Sequence, residues 1–141
     1  PAGGCILTEQ PFARRMKDLF AHEDETGSHI LSLRWGRHFR LSSSAKCIIG
    51  RDAKENYVLE RLAAKEDLFV ELVDKPGPLA LIQGKSDEQA LYKAGSLVKH
   101  FSKQRGDREA AVMIYKKGLP ENKRYITVGT VMADERERMA I

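Results

Sequence analysis

The sequence predicts an α+β domain, a mostly antiparallel sheet with two main helices packed on it, preceded by an N-terminal helix. Three observations support this fold class. Short apolar segments rich in strand-forming residues alternate with two amphipathic segments, the links between them are short, and the later strand pairs are joined by turns that favour antiparallel pairing. With 141 residues, of which 42% are hydrophobic, the chain is large enough to bury a single core.

The first part of the chain predicts one helix and three strands. Apolar residues recur at helical spacing over residues 11–22, behind Pro11 in a first-turn position. The polar stretch 23–28 marks a boundary. Residues 30–34 and 38–41 are predicted to pair as a hairpin around Trp35-Gly36-Arg37, and residues 46–49 form a third strand.

The second part predicts both main helices. One covers residues 52–64, and the strands at 68–73 and 79–83 flank a Pro-Gly turn. The other follows a capping box that begins at Ser86. It carries an apolar stripe, formed by Ala90, Leu91, Ala94, Leu97, Val98 and Phe101. Strands at 110–115 and 124–128 close the sheet, and the tail is either a short helix or frayed.

Charge allows a polyanionic partner. The net charge is +4 with a pI of about 9.1, and nine basic residues stand against five acidic ones between Asp87 and Thr127. We expect the helix end and a strand end of this region to lie on one edge of the sheet and attract phosphates; the residues concerned are Lys99, Lys103, Arg105, Lys116 and Lys117. The alternative is an ordinary solvated surface.

Constellations for independent catalysis are absent from the sequence. There is no phosphate-binding loop, no metal-spaced cysteine pair and no nucleophile elbow, and no apolar run approaches the roughly 20 residues of a membrane span. The two cysteines cannot build a disulfide framework, which indicates a reducing compartment. Cys47 lies in an apolar strand and is predicted to be structural. Cys5 precedes a helix, where positive potential lowers a thiol pKa, although a small apolar loop residue is the alternative.

One stretch resembles the NFACT RNA-binding domain of ribosome quality-control proteins. Ile48-Ile49-Gly50-Arg51-Asp52 through Asn56 is similar to that family's strand–Gly-Arg-Asn–helix signature, and the likeness runs in order from about residue 33 to 128. The resemblance implies an RNA partner and adds Arg51 to the candidate RNA-binding residues. The usual pattern has histidines where this chain has Glu71 and Pro78-Leu79, which implies that its RNA contacts differ in detail.

The N-terminal stretch resembles a second family. Gly3-Gly4-Cys5-Ile6-Leu7-Thr8-Glu9 is similar to the segment around the second catalytic cysteine of tRNA 2-thiouridylases, which are PP-loop ATPases. The two resemblances together imply a cytoplasmic tRNA thiolation protein. Its ATP- and Mg²⁺-binding domain would precede this chain, which itself holds no cofactor. Cys5 would carry a persulfide received from a sulfur-donor protein, and tRNA would be the bound substrate.

These resemblances imply three parts. Residues 1–28 would end a thiouridylase-like region, residues 29–129 would form the RNA-binding domain, and residues 130–141 would be a tail. The absence of an initiator Met is consistent with a cut inside a longer protein, so we expect the chain alone to be catalytically silent. A protein-interaction module that docks on a ribosome or a sulfur-relay partner is the alternative.

Overall fold

A single six-stranded antiparallel sheet organises the molecule. The structure is a computed structural model and describes residues 10–22 and 31–141. The strands, in spatial order β1-β2-β4-β3-β5-β6, are β1 (Arg37–Ser42), β2 (Ala45–Ile49), β3 (Leu68–Leu72), β4 (Ala80–Gly84), β5 (Ala110–Lys116) and β6 (Leu119–Val128). The helices are α1 (Gln10–Ala21), α2 (Ala53–Leu62), α3 (Glu88–His100) and α4 (Ala133–Met139). This architecture confirms the predicted α+β class and the N-terminal helix.

The two main helices lie on opposite faces of the sheet. Alternate strand residues such as Cys47 and Val70 pack under α3, whose predicted apolar stripe is buried apart from the partly exposed Phe101. Gly95 lets α3 approach closely, because a Cβ there would lie 2.7 Å from Val128. On the other face, Leu59 of α2 packs on strand residues that include Phe69. The sheet is therefore the middle of three layers, with a separate hydrophobic core on each of its faces.

Helix α1 packs beside the start of the sheet. Phe12 and Leu19 bury Leu33 between them, and the carboxylate of Asp18 forms an ion pair with Arg40 of β1 at 2.6 Å. Arg15 donates hydrogen bonds to the carbonyls of Leu33 and Gly36. These contacts hold the segment that leads into β1.

The predicted strand at 30–34 is wrong for its described residues. Ser32–Arg34 is a 3-10 helix, closed by a hydrogen bond from Trp35 N to Ser32 O, and it buries Leu33 against α1. The first hairpin instead joins β1 to β2, with Phe39 opposite Cys47. Leu33 is used for packing against α1, whereas Leu31 is exposed, and local spacing does not reveal this tertiary contact.

The start of α3 differs from the prediction by one residue, whereas the tail forms the short helix that was one of its two predicted alternatives. The N-cap of α3 is Asp87 and not Ser86, because the Asp87 carboxylate accepts a hydrogen bond from Ala90 N at 2.8 Å. The tail is ordered as α4, which buries Met139 in the core. Within residues 10–22 and 31–141, no helix combines the length and apolarity that crossing a bilayer requires.

Candidate nucleic-acid interface

An open groove of about 500 Å³ lies at one end of the sheet. Three segments meet there: the start of α2, the Pro76-Gly77-Pro78 turn before β4, and the chain that follows α3. The side chains that line the groove include three cations, which are Arg37 from the start of β1, Arg51 and Lys103. Asp52 is the acidic residue of the lining, and its carboxylate is engaged in capping α2 through Glu55 N at 2.8 Å. The groove thus presents a surplus of positive charge to solvent.

The segment from Gly50 to Asn56 connects the start of α2 to the residues before β4. Gly50 is buried, and a Cβ there would overlap the side-chain oxygen of Asn56. That oxygen accepts a hydrogen bond from Leu79 N, and Gly50 N donates to Leu79 O at 3.0 Å. Glycine and asparagine together therefore join the start of α2 to the strand behind the Pro-Gly turn, and this fixes two walls of the groove.

Glu55 orients Arg51. The buried carboxylate of Glu55 accepts hydrogen bonds from the backbone N–H groups of Gly36 and Arg51, at 3.2 and 2.9 Å. It also receives the Arg51 guanidinium in bidentate fashion, at 2.8 and 2.6 Å. The Arg51 hydrogen bond is the main reason that the pKa of Glu55 is lowered to about 2. Half of the Arg51 side chain remains exposed, so the cation is held in place and still accessible.

The third wall turns sharply after α3. The Ser102 hydroxyl donates to Lys99 O at 2.7 Å and accepts from Gln104 N at 3.0 Å. This turn leaves Lys103 exposed in the groove. The Arg37 guanidinium lies 4.5 Å from the centre of the Phe101 ring, which contributes an aromatic floor.

Further cations surround His100 at this end of the sheet. The pKa of His100 is lowered, first by partial burial and then by the positive charges of Arg136, Arg105, Arg37 and Lys99. The four cations lower the pKa of His100 in addition to burial, so the local electrostatic potential at this histidine is positive. The groove and its surroundings are therefore suited to bind a polyanion.

Comparison with protein families decides what kind of domain carries this groove. The family model described as the NFACT protein RNA binding domain matches residues 36–139, which include all three walls. The chain belongs to the NFACT RNA-binding domain family. RNA is the partner that this membership supports.

A solved structure supports the same fold for this NFACT domain. The C-terminal part of the fibronectin/fibrinogen-binding protein from Streptococcus suis superposes with a TM-score of 0.66 at 16% sequence identity. The match covers 90% of this chain and 66% of the other, so the chain spans just under two thirds of that structure's length. No curated protein matches the chain.

The groove brings together only some of the predicted RNA-binding residues. Arg51 and Lys103 line it, and Arg105 is exposed beside it. Lys99 does not belong to this surface, because its side chain is 1% exposed. Its ammonium donates to Arg105 O and Thr130 Oγ1, both at 3.1 Å. Lys99 therefore supports the segment that carries Arg105 and is not placed to contact a phosphate.

Lys116 and Lys117 lie at the opposite end of the sheet, so the prediction of one shared edge is wrong. Lys116 pairs with Leu68, whereas the groove lies beyond Leu72, four strand residues or roughly 13 Å away. The α3 end and the β5 end point in opposite directions along the sheet. Lys117 donates to Ala63 O at 2.7 Å at the end of α2, and Lys116 lies 3.4 Å from Glu66.

Sequence reasoning missed Arg37 as a groove residue. The prediction placed it inside a hairpin turn, where a cation has no specific partner. In the structure it is the first residue of β1, and its guanidinium lies over Phe101. Phe101, the aromatic end of the apolar stripe of α3, was the sequence feature that could have indicated a partner for Arg37. Phe101 and Arg37 are far apart in sequence, however, and only the fold brings them together.

Of the two cysteines, Cys47 lies within the described residues and Cys5 does not. Cys47 is fully buried, and desolvation raises the pKa of its thiol to about 12, which confirms the predicted structural role. Cys5 lies outside the described residues, so its predicted role stays a prediction. In the described part of the chain, no three His, Cys, Asp or Glu side chains are grouped to hold a metal.

Proposed function

We propose that this domain holds tRNA, with backbone phosphates in the groove between α2, the Pro-Gly turn and the end of α3. The convergence of Arg37, Arg51 and Lys103 on one open groove carries the proposal. Family membership supports an RNA partner, and tRNA is the finer assignment that the N-terminal resemblance favours. The alternative, a protein-docking module, predicts a different salt dependence and is separated below.

The geometry favours phosphate contacts over base reading. Arg51 and Lys103 are exposed cations at the rim, and Arg51 is already held by Glu55. Phosphate contacts of this kind position an RNA without sequence information and weaken steeply as salt increases. We therefore expect modest affinity with little preference among tRNAs.

The test compares Lys103→Ala with Lys85→Ala. Lys85 is also exposed, but it follows Gly84, which pairs with Ala45 at the far end of the sheet. Binding of several tRNAs is measured across a salt series by fluorescence anisotropy. Lys103→Ala should weaken all of them similarly and reduce the log–log salt slope by about 0.7–0.9, the value of one phosphate contact.

Lys85→Ala should change neither the affinity nor the slope, and thermal melts check that both variants fold. Failure of the unsubstituted chain to bind tRNA at low salt would count decisively against the proposal. A slope near zero would show that tRNA binds without phosphate contacts, which contradicts the proposed use of the groove and favours the protein-docking alternative.

We further propose that the intact protein is a cytoplasmic tRNA thiolation enzyme. The resemblance around Cys5 motivates this step, with ATP and Mg²⁺ bound by a preceding domain and a sulfur-donor protein as a second partner. Cys5 would bear the persulfide whose outer sulfur attacks the adenylated base carbon and displaces AMP; a second thiol, supplied by the preceding domain, would then cleave the S–S bond and form a disulfide with Cys5. The NFACT domain would position the tRNA, and it would not take part in the chemistry.

Cys5→Ser tests this enzyme assignment. A hydroxyl cannot carry sulfane sulfur, so thiolated nucleosides should disappear from the tRNA of cells whose only copy carries the substitution. The purified variant should keep its melting temperature and tRNA affinity. Normal thiolation in those cells would remove Cys5 from the mechanism and leave RNA binding by the groove unaffected.

A further inference from the structure

Helix α2 carries a solvent-facing stripe that starts beside the groove. Lys54, Tyr57 and Arg61 are spaced by three and four residues, so they share one side of the helix, and all three are exposed. Tyr57 is 60% exposed, and the Arg61 guanidinium lies 6.0 Å from its ring centre. An exposed ring between two cations is not needed for packing the core.

The stripe leads into a second concavity of about 530 Å³. Arg61 and Lys117 border it on the α2 side, and Phe69, Tyr115 and Pro120 form its base on the sheet side. The Lys123 ammonium lies 5.2 Å from the Tyr115 ring centre. Because Lys117 donates to the carbonyls of Arg61 and Ala63, its charge is fixed where α2 ends.

The exposed face of the β5–β6 hairpin extends the same surface. Tyr125 pairs with Met113, and Tyr115 follows Met113 by two residues, so both tyrosines lie on one face of the hairpin. The intervening Arg124 points to the other face, where it forms an ion pair with Glu88 of α3. Tyr125 is 59% exposed.

We infer that this surface, the aromatic track, binds a single-stranded segment of the same RNA that occupies the groove. The track consists of Tyr57, Arg61, Tyr115, Lys117, Lys123 and Tyr125. The inference rests on the proposed function. Planar rings interleaved with cations suit stacked bases joined by phosphates, and such stacking tolerates any sequence.

Continuity with the groove favours RNA as the occupant. Arg61 on the track follows Arg51 in the groove by ten residues, most of them in α2, which corresponds to about 15 Å along the helix. At roughly 3.4 Å per nucleotide in a stacked strand, a few nucleotides span that gap.

The acidic residues near the track leave room for phosphates. The Glu71 carboxylate accepts a hydrogen bond from the Tyr115 hydroxyl at 2.5 Å, which holds the ring in place. Glu60 lines the concavity and is exposed, and Glu121 is exposed next to Pro120. Partial burial and the hydrogen bond to Glu71 raise the pKa of Tyr115, which therefore remains a neutral phenol. Because the Glu71 carboxylate is engaged by Tyr115, the three cations Arg61, Lys117 and Lys123 stand against the two exposed acids Glu60 and Glu121.

The experiment uses two RNAs, a blunt hairpin and the same hairpin with a uridine single strand at one end. The 141-residue chain should bind the extended RNA at least about tenfold more tightly, the effect of stacking one or two bases. Tyr57→Ala combined with Tyr125→Ala should remove this preference and leave the blunt-hairpin affinity unchanged. Tyr57→Phe with Tyr125→Phe should preserve it, because phenylalanine rings still stack.

Tyr92→Ala is the matched control, since Tyr92 is a 47% exposed tyrosine on α3, away from the track. It should retain the preference, and melting curves verify folding of every variant. If the unsubstituted chain binds both RNAs equally, the track is overturned while the groove stands, and a protein occupant becomes the better explanation. An equal loss for both RNAs in the double alanine variant also overturns it. Binding of neither RNA overturns the track and the groove together.

Discussion

Glu55 connects the parts of the groove through one carboxylate. It accepts a hydrogen bond from the backbone N–H of Gly36, which precedes β1. It also accepts hydrogen bonds from the backbone N–H and the guanidinium of Arg51. Gly36 has a φ of +72°, and a Cβ there would lie 2.7 Å from Ile49 O, so the turn that brings its N–H to Glu55 requires glycine. A single buried acid thus determines the position of the half-exposed Arg51 guanidinium in the groove.

The lowered pKa of Glu55 predicts a specific acid sensitivity. Its pKa is about 2 in the folded chain, below the unfolded value of about 4.3, so the carboxylate stabilises the fold above about pH 4.3 and this stabilisation is lost as the pH falls toward 2. The free energy of unfolding is measured by urea denaturation between pH 7 and pH 2. Over this range the unsubstituted protein should lose roughly 1–2 kcal/mol more than Glu55→Gln. This figure is reduced because the partner Arg51 is half exposed and solvent screens the ion pair.

Glu60→Gln provides the control for this pH series, because Glu60 lies on the same helix and is exposed. It should follow the unsubstituted protein at every pH. Parallel curves for Glu55→Gln and the unsubstituted protein would show that Glu55 is not the titrating group. At pH 7, Glu55→Gln should also weaken RNA binding, because Arg51 is then less firmly held.

The sequence correctly predicted the helices and strands that are determined by a local pattern of apolar and polar residues. The apolar stripe of α3 and the short apolar strands β2 and β3 are determined by local patterns and were predicted correctly. Arg51 lies in the groove at the start of α2, and its contact with RNA stays a prediction. The strand prediction for the segment before β1 failed because Leu33 packs against α1, a contact that no local period reveals. The composition of a segment also does not reveal which way a helix or strand runs across the sheet. For this reason the prediction placed Lys103, after α3, and Lys116, at the end of β5, at the same end of the sheet.

Lys99 shows the same limit within one helix. It lies outside the apolar stripe of α3, and its type and spacing predict an exposed cation. The turn at 102–105 and Thr130 cover it in the fold, and their oxygens satisfy its ammonium. Burial by a distant segment is a property of the assembled chain, so no reading of the helix alone could predict it.

Helix α4 and the two residues that follow it pack against β1, the first strand of the sheet. Met139 of α4 is 5% exposed and belongs to the core under α3, together with Phe39 of β1. Ala140 forms a bridge with Phe39, and Ile141 N donates to His38 O at 3.0 Å. The outer edge of β1 is therefore partly covered, which limits unwanted pairing at an edge strand.

This closure predicts that α4 contributes to global stability. Met139→Ala should lower the free energy of unfolding by about 2–4 kcal/mol, since it leaves a cavity in the shared core. Met132→Ala is the matched control, because Met132 is 65% exposed just before the same helix and should change stability by less than about 0.5 kcal/mol. Both are measured by urea denaturation with fluorescence of Trp35 and with circular dichroism. If α4 is part of the cooperative unit, the two probes shift together in Met139→Ala. An unchanged midpoint in that variant would show that the tail frays independently and that the core does not depend on it.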